Sequence, residues 1–233
     1  MFEVLLDSSS KYLSVGLAKD GKVIDKIFYE AWQRQSEMMT SELQTILKRN
    51  HVENKDINAV VIGIGPGSYT GVRIAVTIGK TLAYALHTKV YTVSSLSLLR
   101  DDTKPTICVF NARSGRSYVG VYQNDKCLLN DCVMTNEDLE KYISEHPDIV
   151  VNGELSHLDR ESGKYDTIEN LAKGLKEENL RENPFVVNPV YLKELLYWIL
   201  KYVSLKKLIW NRFMRSKKNV LLTLGSFLIL NMN

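Results

Sequence analysis

Cysteine is scarce, and that excludes a disulfide scaffold. Cys108, Cys127 and Cys132 form no C-x-x-C pair and are odd in number, which fits reduced thiols in a cytoplasmic protein. Long apolar runs are also lacking. Residues 220–230 form an apolar run of 11, against the roughly 20 a membrane-spanning helix needs. The first strand is read from Phe2, which leaves no room for a signal peptide. The expectation is a cytoplasmic chain with no membrane span. Acidic residues are missing from one place: residues 195–233 carry seven Lys/Arg and no Asp or Glu. Removing that tail from the formal charge of +3 leaves residues 1–194 at −4. The body therefore has no basic footprint for nucleic acid of its own.

Familiar catalytic signatures are missing too. Gly79-Lys80-Thr81 looks like the end of a phosphate-binding P-loop, but Ile74 stands where the partner glycine belongs. The tripeptide also falls mid-helix, where backbone amides are already bonded. Around Ser68 a nucleophile elbow fails, because Thr70 replaces its second glycine. His51, His87, His146 and His157 show no metal-ligand spacing. No catalytic residue and no metal site is expected.

What is present centres on residues 60–86. Val60-Val61-Ile62-Gly63-Ile64 is short, apolar and rich in β-branched residues, which suits a buried parallel strand. Gly65-Pro66-Gly67-Ser68-Tyr69-Thr70-Gly71 is a turn. An apolar helix then runs from Gly71 to Leu86, with Ser68 or Thr70 as its cap. Gly71, Ala75, Gly79 and Ala83 recur every fourth residue. This ridge of small residues admits close approach of another helix, in the same chain or in a partner. Ile74, Ile78, Leu82 and Leu86 form a neighbouring ridge of large residues.

Before this centre come three antiparallel strands, with a hairpin at Asp20-Gly21, and a helix over 36–50 capped by Ser36. Met39, Leu43, Ile46 and Leu47 form its apolar stripe. After it come a strand at 90–93, strands at 106–110 and 118–122, a helix at 136–144, a strand at 149–151 and a helix at 167–178. The order β-β-β-α-β-α-β predicts an α/β, ribonuclease H-like or actin-like ATPase fold with two lobes, the second a degenerate copy. The domains read as 1–100, 101–194 and an atypical basic tail at 195–233. Asp7 ends the first strand beside a hydroxyl-rich turn, the place where actin-like ATPases hold metal and phosphate. The position after Phe110 is Asn111, not a second carboxylate, which leaves Glu154. A strand-end turn cap is the alternative for Asp7.

Four motifs together resemble the TsaB (YeaZ) family: Leu5-Leu6-Asp7-Ser8-Ser9, the decapeptide from Gly65 to Ile74, Asn111-Ala112-Arg113, and Pro189-Val190-Tyr191-Leu192-Lys193. The resemblance implies a two-lobed actin-like fold that has lost its own ATPase motifs. It implies a non-catalytic subunit that binds the related enzyme TsaD and, with the ATPase TsaE, supports threonylcarbamoylation of the tRNA adenosine beside the anticodon. Family members pair through their first two helices, with TsaD or, alone, as a homodimer. On that basis Met39, Leu43, Leu47, Gly71, Ala75, Gly79 and Ala83 are the expected contacts. Asp7, Ser8, Ser9, Gly65, Gly67, Ser68, Asn111 and Arg113 are the expected remnant of a nucleotide site. No cofactor of its own is expected, with ATP or ADP at the interface of the complex and tRNA reached only through that complex. Asn111 replaces the family's usual aspartate. From about residue 195 the chain leaves the family pattern, as a shifted reading frame or another non-family terminus would. An actin-like kinase using Asp7, a peptidase and a membrane-associated protein held by the basic tail are the competing readings.

Overall fold

The computed structural model describes residues 1–31 and 33–192. Lys193 of the last motif and the tail from 195 lie outside the described residues. Residues 1–192 form one compact unit built on two sheets.

The first sheet grows outward from the central apolar run. Strands β1 (Phe2–Asp7), β2 (Tyr12–Lys19) and β3 (Lys22–Glu30) are antiparallel. Strand β4 (Ile57–Gly63) lies parallel to β1, and β5 (Lys89–Val93) lies parallel to β4. With β10 (Leu180–Arg181) the order is β10-β5-β4-β1-β2-β3. Parallel pairing requires crossover helices, and α1 (Gln35–Arg49) and α2 (Tyr69–Ala85) supply them. Because side chains alternate along a strand, Val4, Leu6, Val60 and Ile62 meet these two helices on one face, and Leu5 and Val61 meet Leu98, Ile168 and Leu171 on the other. Burial on both faces is why these strands read as continuous apolar runs. Each fully buried Leu, Ile or Val side chain contributes about 1.5–3 kcal/mol.

The second sheet contains β6 (Thr106–Arg113), β7 (Arg116–Gln123), β8 (Lys126–Thr135) and β9 (Val150–Gly153), in the order β8-β7-β6-β9. Helix α3 (Asn136–Glu145) covers it with Leu139 and Ile143. A fourth cluster lies between the sheets, where Leu96, Leu99, Cys108, Phe110 and Tyr122 pack together.

Two local expectations are corrected and one strand is added. Helix α1 begins at Gln35 after Arg34, with no side-chain cap; Ser36 is exposed inside the first turn. Gln35 turns inward instead and donates to Ser10 O at 3.3 Å. The helix expected at 167–178 is α4 (Thr167–Ala172), well capped by Asp166 but ended by a turn in which Gly174 N bonds back to Leu171 O. Strand β8 was not foreseen: it is an edge strand, largely exposed in its first half.

Candidate functional site

The strand-end serine turn and the glycine loop are bonded to each other. Ser68 N donates to Ser9 O at 2.6 Å, and Ser8 Oγ donates to Gly71 O at 2.8 Å. The approach is too close for side chains. A Cβ on Gly67 would stand 2.4 Å from Ser9 O, and one on Gly71 1.9 Å from Ser8 O. That steric need explains why the loop keeps glycine at both positions. Gly65 has φ +96°, in the left-handed region that favours glycine. Ser68 caps α2 by accepting from Gly71 N. The Pro189 motif closes the other side, with Val190 N donating to Ile64 O at 2.7 Å.

Asp7 anchors the assembly from below. Its Oδ2 accepts from Ser9 N and Ser9 Oγ, and its Oδ1 accepts from Ser95 Oγ at 2.9 Å. Ser95 in turn holds Gly65 through both backbone groups, each at 2.9 Å. Asp7 is 3% exposed, and a Cβ on Gly63 would stand 2.0 Å from its Oδ1. The carboxylate is a structural tie, as in the turn-cap reading. Burial pushes the Asp7 carboxyl above its ordinary value, against the pull of the Ser9 and Ser95 donors. The native state then keeps a proton that the unfolded state has lost. The stability Asp7 contributes is full below the unfolded value near 3.8 and is lost as pH rises through the native value. Relative to Asp7→Asn, the wild-type urea midpoint is expected to fall as pH rises above the unfolded value near 3.8. Parallel midpoints at several pH values check this.

Above the serine turn a cleft of about 650 Å³ opens between the two sheets. Five of the expected nucleotide residues line it: Ser9, Gly67, Ser68, Asn111 and Arg113. Asp7, Ser8 and Gly65 do not; they are buried beneath it. Lys11, Gln35 and Glu154 also line it. Glu154 Oε2 accepts from Asn111 N at 3.3 Å, and burial raises its carboxyl. Asn111 serves as a turn former, its Oδ1 accepting from Arg113 N at 2.8 Å. Glu154 was considered from sequence only as a second carboxylate. Lys11 has no motif of its own in the sequence; its place directly after the serine turn is the only signal for it. Among the described residues, no three His, Cys, Asp or Glu side chains converge as a metal site would require. Nor is any helix among them long and apolar enough to cross a membrane.

Among the described residues there is one Ser–His contact, Ser117 Oγ to His157 Nε2 at 2.8 Å. Ser117 is fully buried and also bonds Asn136 Oδ1 at 3.0 Å. No substrate reaches it there.

The expected contact residues need correction as well. Met39, Leu43, Leu47, Ala75 and Ala83 are 0–6% exposed, in the core beneath the two helices. Gly71 and Gly79 are buried with them. A Cβ on Gly79 would stand 2.5 Å from Ile62 Cδ1. At Gly79 the small-residue ridge thus lets α2 lie close on its own sheet, and at Gly71 on the serine turn. The large ridge, Ile74, Ile78 and Leu82, runs along the flank of α2, each residue partly buried against the core, beside the exposed Arg73, Thr77 and Thr81. Aromatic pairs mark its two ends. Tyr69 stacks on Tyr191 at 5.1 Å, and Tyr84 meets Phe185 at 4.8 Å. Tyr69, Tyr84 and Phe185 are each more than half exposed.

Comparison with known proteins extends this picture. Residues 29–182, more than half of the chain, match the sequence model of the family described as TsaD: tRNA N6-adenosine threonylcarbamoyltransferase. The chain is 33% identical over 132 residues to the tRNA threonylcarbamoyladenosine biosynthesis protein TsaB of Bacillus subtilis, covering 55% of this chain and 58% of that protein. It is 28% identical over 130 residues to TsaB of Buchnera aphidicola from Schizaphis graminum, covering 53% and 61%. The match thus spans about three fifths of these relatives' length. The solved structure of YeaZ from Pseudomonas aeruginosa superposes with a TM-score of 0.68 at 21% identity, covering 82% of this chain and 99% of that one. That likeness establishes the shared two-lobed α/β fold.

Proposed function

The chain belongs to the TsaB (YeaZ) proteins of the TsaD-like family, and from that membership we propose that it is a non-catalytic subunit which binds and supports TsaD in tRNA threonylcarbamoyladenosine biosynthesis. The observation that carries the proposal is the partly covered flank of α2. Ile74, Ile78 and Leu82 stay only partly buried, and aromatic rings flank them. Interface cores are rich in aromatic and large apolar side chains. Such a surface gains stability by covering, and TsaD is the proposed cover, with a second copy of this chain taking its place when TsaD is absent. TsaE joins the complex in the cytoplasm. tRNA reaches the chain through the complex, because residues 1–194 carry a formal charge of −4.

The interlobe cleft, with Lys11 and Arg113 in its lining, is the proposed place for ATP or ADP once the complex has formed. The chain needs no cofactor of its own. The kinase reading is less favoured, because Asp7 is buried and bonded by serines rather than open to the cleft. In cells depleted of their own TsaB-type protein, expression of this chain is expected to restore threonylcarbamoyladenosine in total tRNA, measured by nucleoside mass spectrometry. Unchanged nucleoside levels, with the chain present and soluble, would count against the proposal.

A further inference from the structure

Asp131 occupies a site prepared for it. Strand β8 carries a bulge there: Val119 pairs with Cys132 and Val121 with Leu129, so Asn130 and Asp131 together oppose Gly120. Bulges re-aim side chains. Gly120 leaves the needed space, since a Cβ there would stand 2.5 Å from Asp131 Oδ1. The re-aimed carboxyl accepts from Tyr122 Oη on Oδ1 and from Ser94 Oγ on Oδ2, both at 2.5 Å. Ser94 Oγ also accepts from Leu96 N at 3.2 Å, and Ser94 O accepts from Ser97 Oγ at 2.6 Å. A carboxyl of the second sheet therefore grips the segment that leaves the first sheet. The next residue, Ser95, holds Gly65 through both backbone groups and Asp7 through its hydroxyl.

We propose that Asp131 is a positioning residue: it clamps the connection after β5 and so fixes the glycine loop and the start of α2. Coupling runs from Asp131 to Ser94, along the chain to Ser95, and across to Gly65 and the serine turn. No ligand is needed for it, so it stands or falls separately from the proposed partner. Through it the second sheet sets the angle at which the flank of α2 is presented.

Amide hydrogen exchange on the full chain, read residue by residue, tests the clamp. In Asp131→Ala, exchange at Gly65, Ser95 and Leu96 is expected to rise at least about tenfold, with core amides of β1 and β4 unchanged. Exchange of this kind reports local opening separately from global unfolding. Asp131→Asn, which keeps one acceptor oxygen, is expected to give a smaller local rise. A merely structural role would raise all amides together, or only those of β7 and β8, and either pattern overturns the proposal. Should Asp131→Ala fail to fold, Ser94→Ala decides. It removes the grip of Asp131 on the connection, together with the acceptor for Leu96 N, and leaves the Asp131–Tyr122 bond in place; unchanged exchange at Gly65 and Ser95 in that variant overturns the proposal equally.

Discussion

Ile78→Arg is expected to weaken association with TsaD by at least about 100-fold while leaving the melting temperature nearly unchanged. Ile78 lies on the flank of α2, between Ile74 and Leu82, and is partly buried in the free chain. An arginine there can lay its aliphatic stem along the helix and keep its charge in water, so the isolated fold tolerates it. A covering partner removes that water. Losing a buried isoleucine costs about 1.5–3 kcal/mol, and desolvating an unpaired charge adds several more. Each 1.4 kcal/mol is a tenfold change in affinity, roughly. Glu137→Arg on the exposed start of α3 serves as the control and is expected to bind as the wild type does. Titration of labelled chain into TsaD reads both. Wild-type affinity in Ile78→Arg would remove α2 from the interface.

Gly79→Leu is expected to do the opposite, lowering the melting temperature by about 10 °C or more. A methylene at that position already intrudes on Ile62, with Cδ1 at 2.5 Å and Cγ1 at 2.7 Å, and Val60 Cγ1 lies behind at 3.5 Å. Ile62 and Val60 are fully buried in the central strand and have nowhere to move. Overpacking a filled core costs about 1–3 kcal/mol for small insertions, and four carbons exceed that. The helix propensity gained by removing glycine returns only about 1 kcal/mol. For a domain of this size each 1 kcal/mol shifts the melting temperature by about 2–4 °C. Failure of this variant to bind a partner would report lost folding, not a lost contact. Calorimetry on Gly79→Leu and Ile78→Arg together separates the inner face of α2 from its flank.

Those two variants also mark how far sequence reasoning reached. The four-residue spacing of Gly71, Ala75, Gly79 and Ala83 correctly indicates a close approach. Periodicity identifies a face without saying what lies against it, and here the β-sheet and serine turn of the same chain are the neighbours. The strand–loop–helix unit was legible because Val60–Ile64 is apolar throughout and the loop glycines cannot sit in an element interior. Strand β8 was not, because Lys126, Asn130 and Asp131 break any two-residue alternation and an edge strand needs only one partner. The shortening of α4 depends on a turn at Gly174 that propensity alone does not place. Asp7 was recognisable as a strand-end carboxylate. Its burial was not, since Ser95 and Gly63 reach it from distant parts of the chain. The cleft lining was half legible for the same reason: Glu154 and Arg113 belong to the second sheet and meet Lys11 only after the lobes have packed.

The most direct measurement is size-exclusion chromatography with light scattering on the chain mixed with its organism's TsaD, for wild type and Ile78→Arg side by side. A mixed complex is expected with wild type and separate species with Ile78→Arg, both chains remaining folded. A wild-type chain that stays apart from TsaD, or an Ile78→Arg chain that still joins it, would contradict the account.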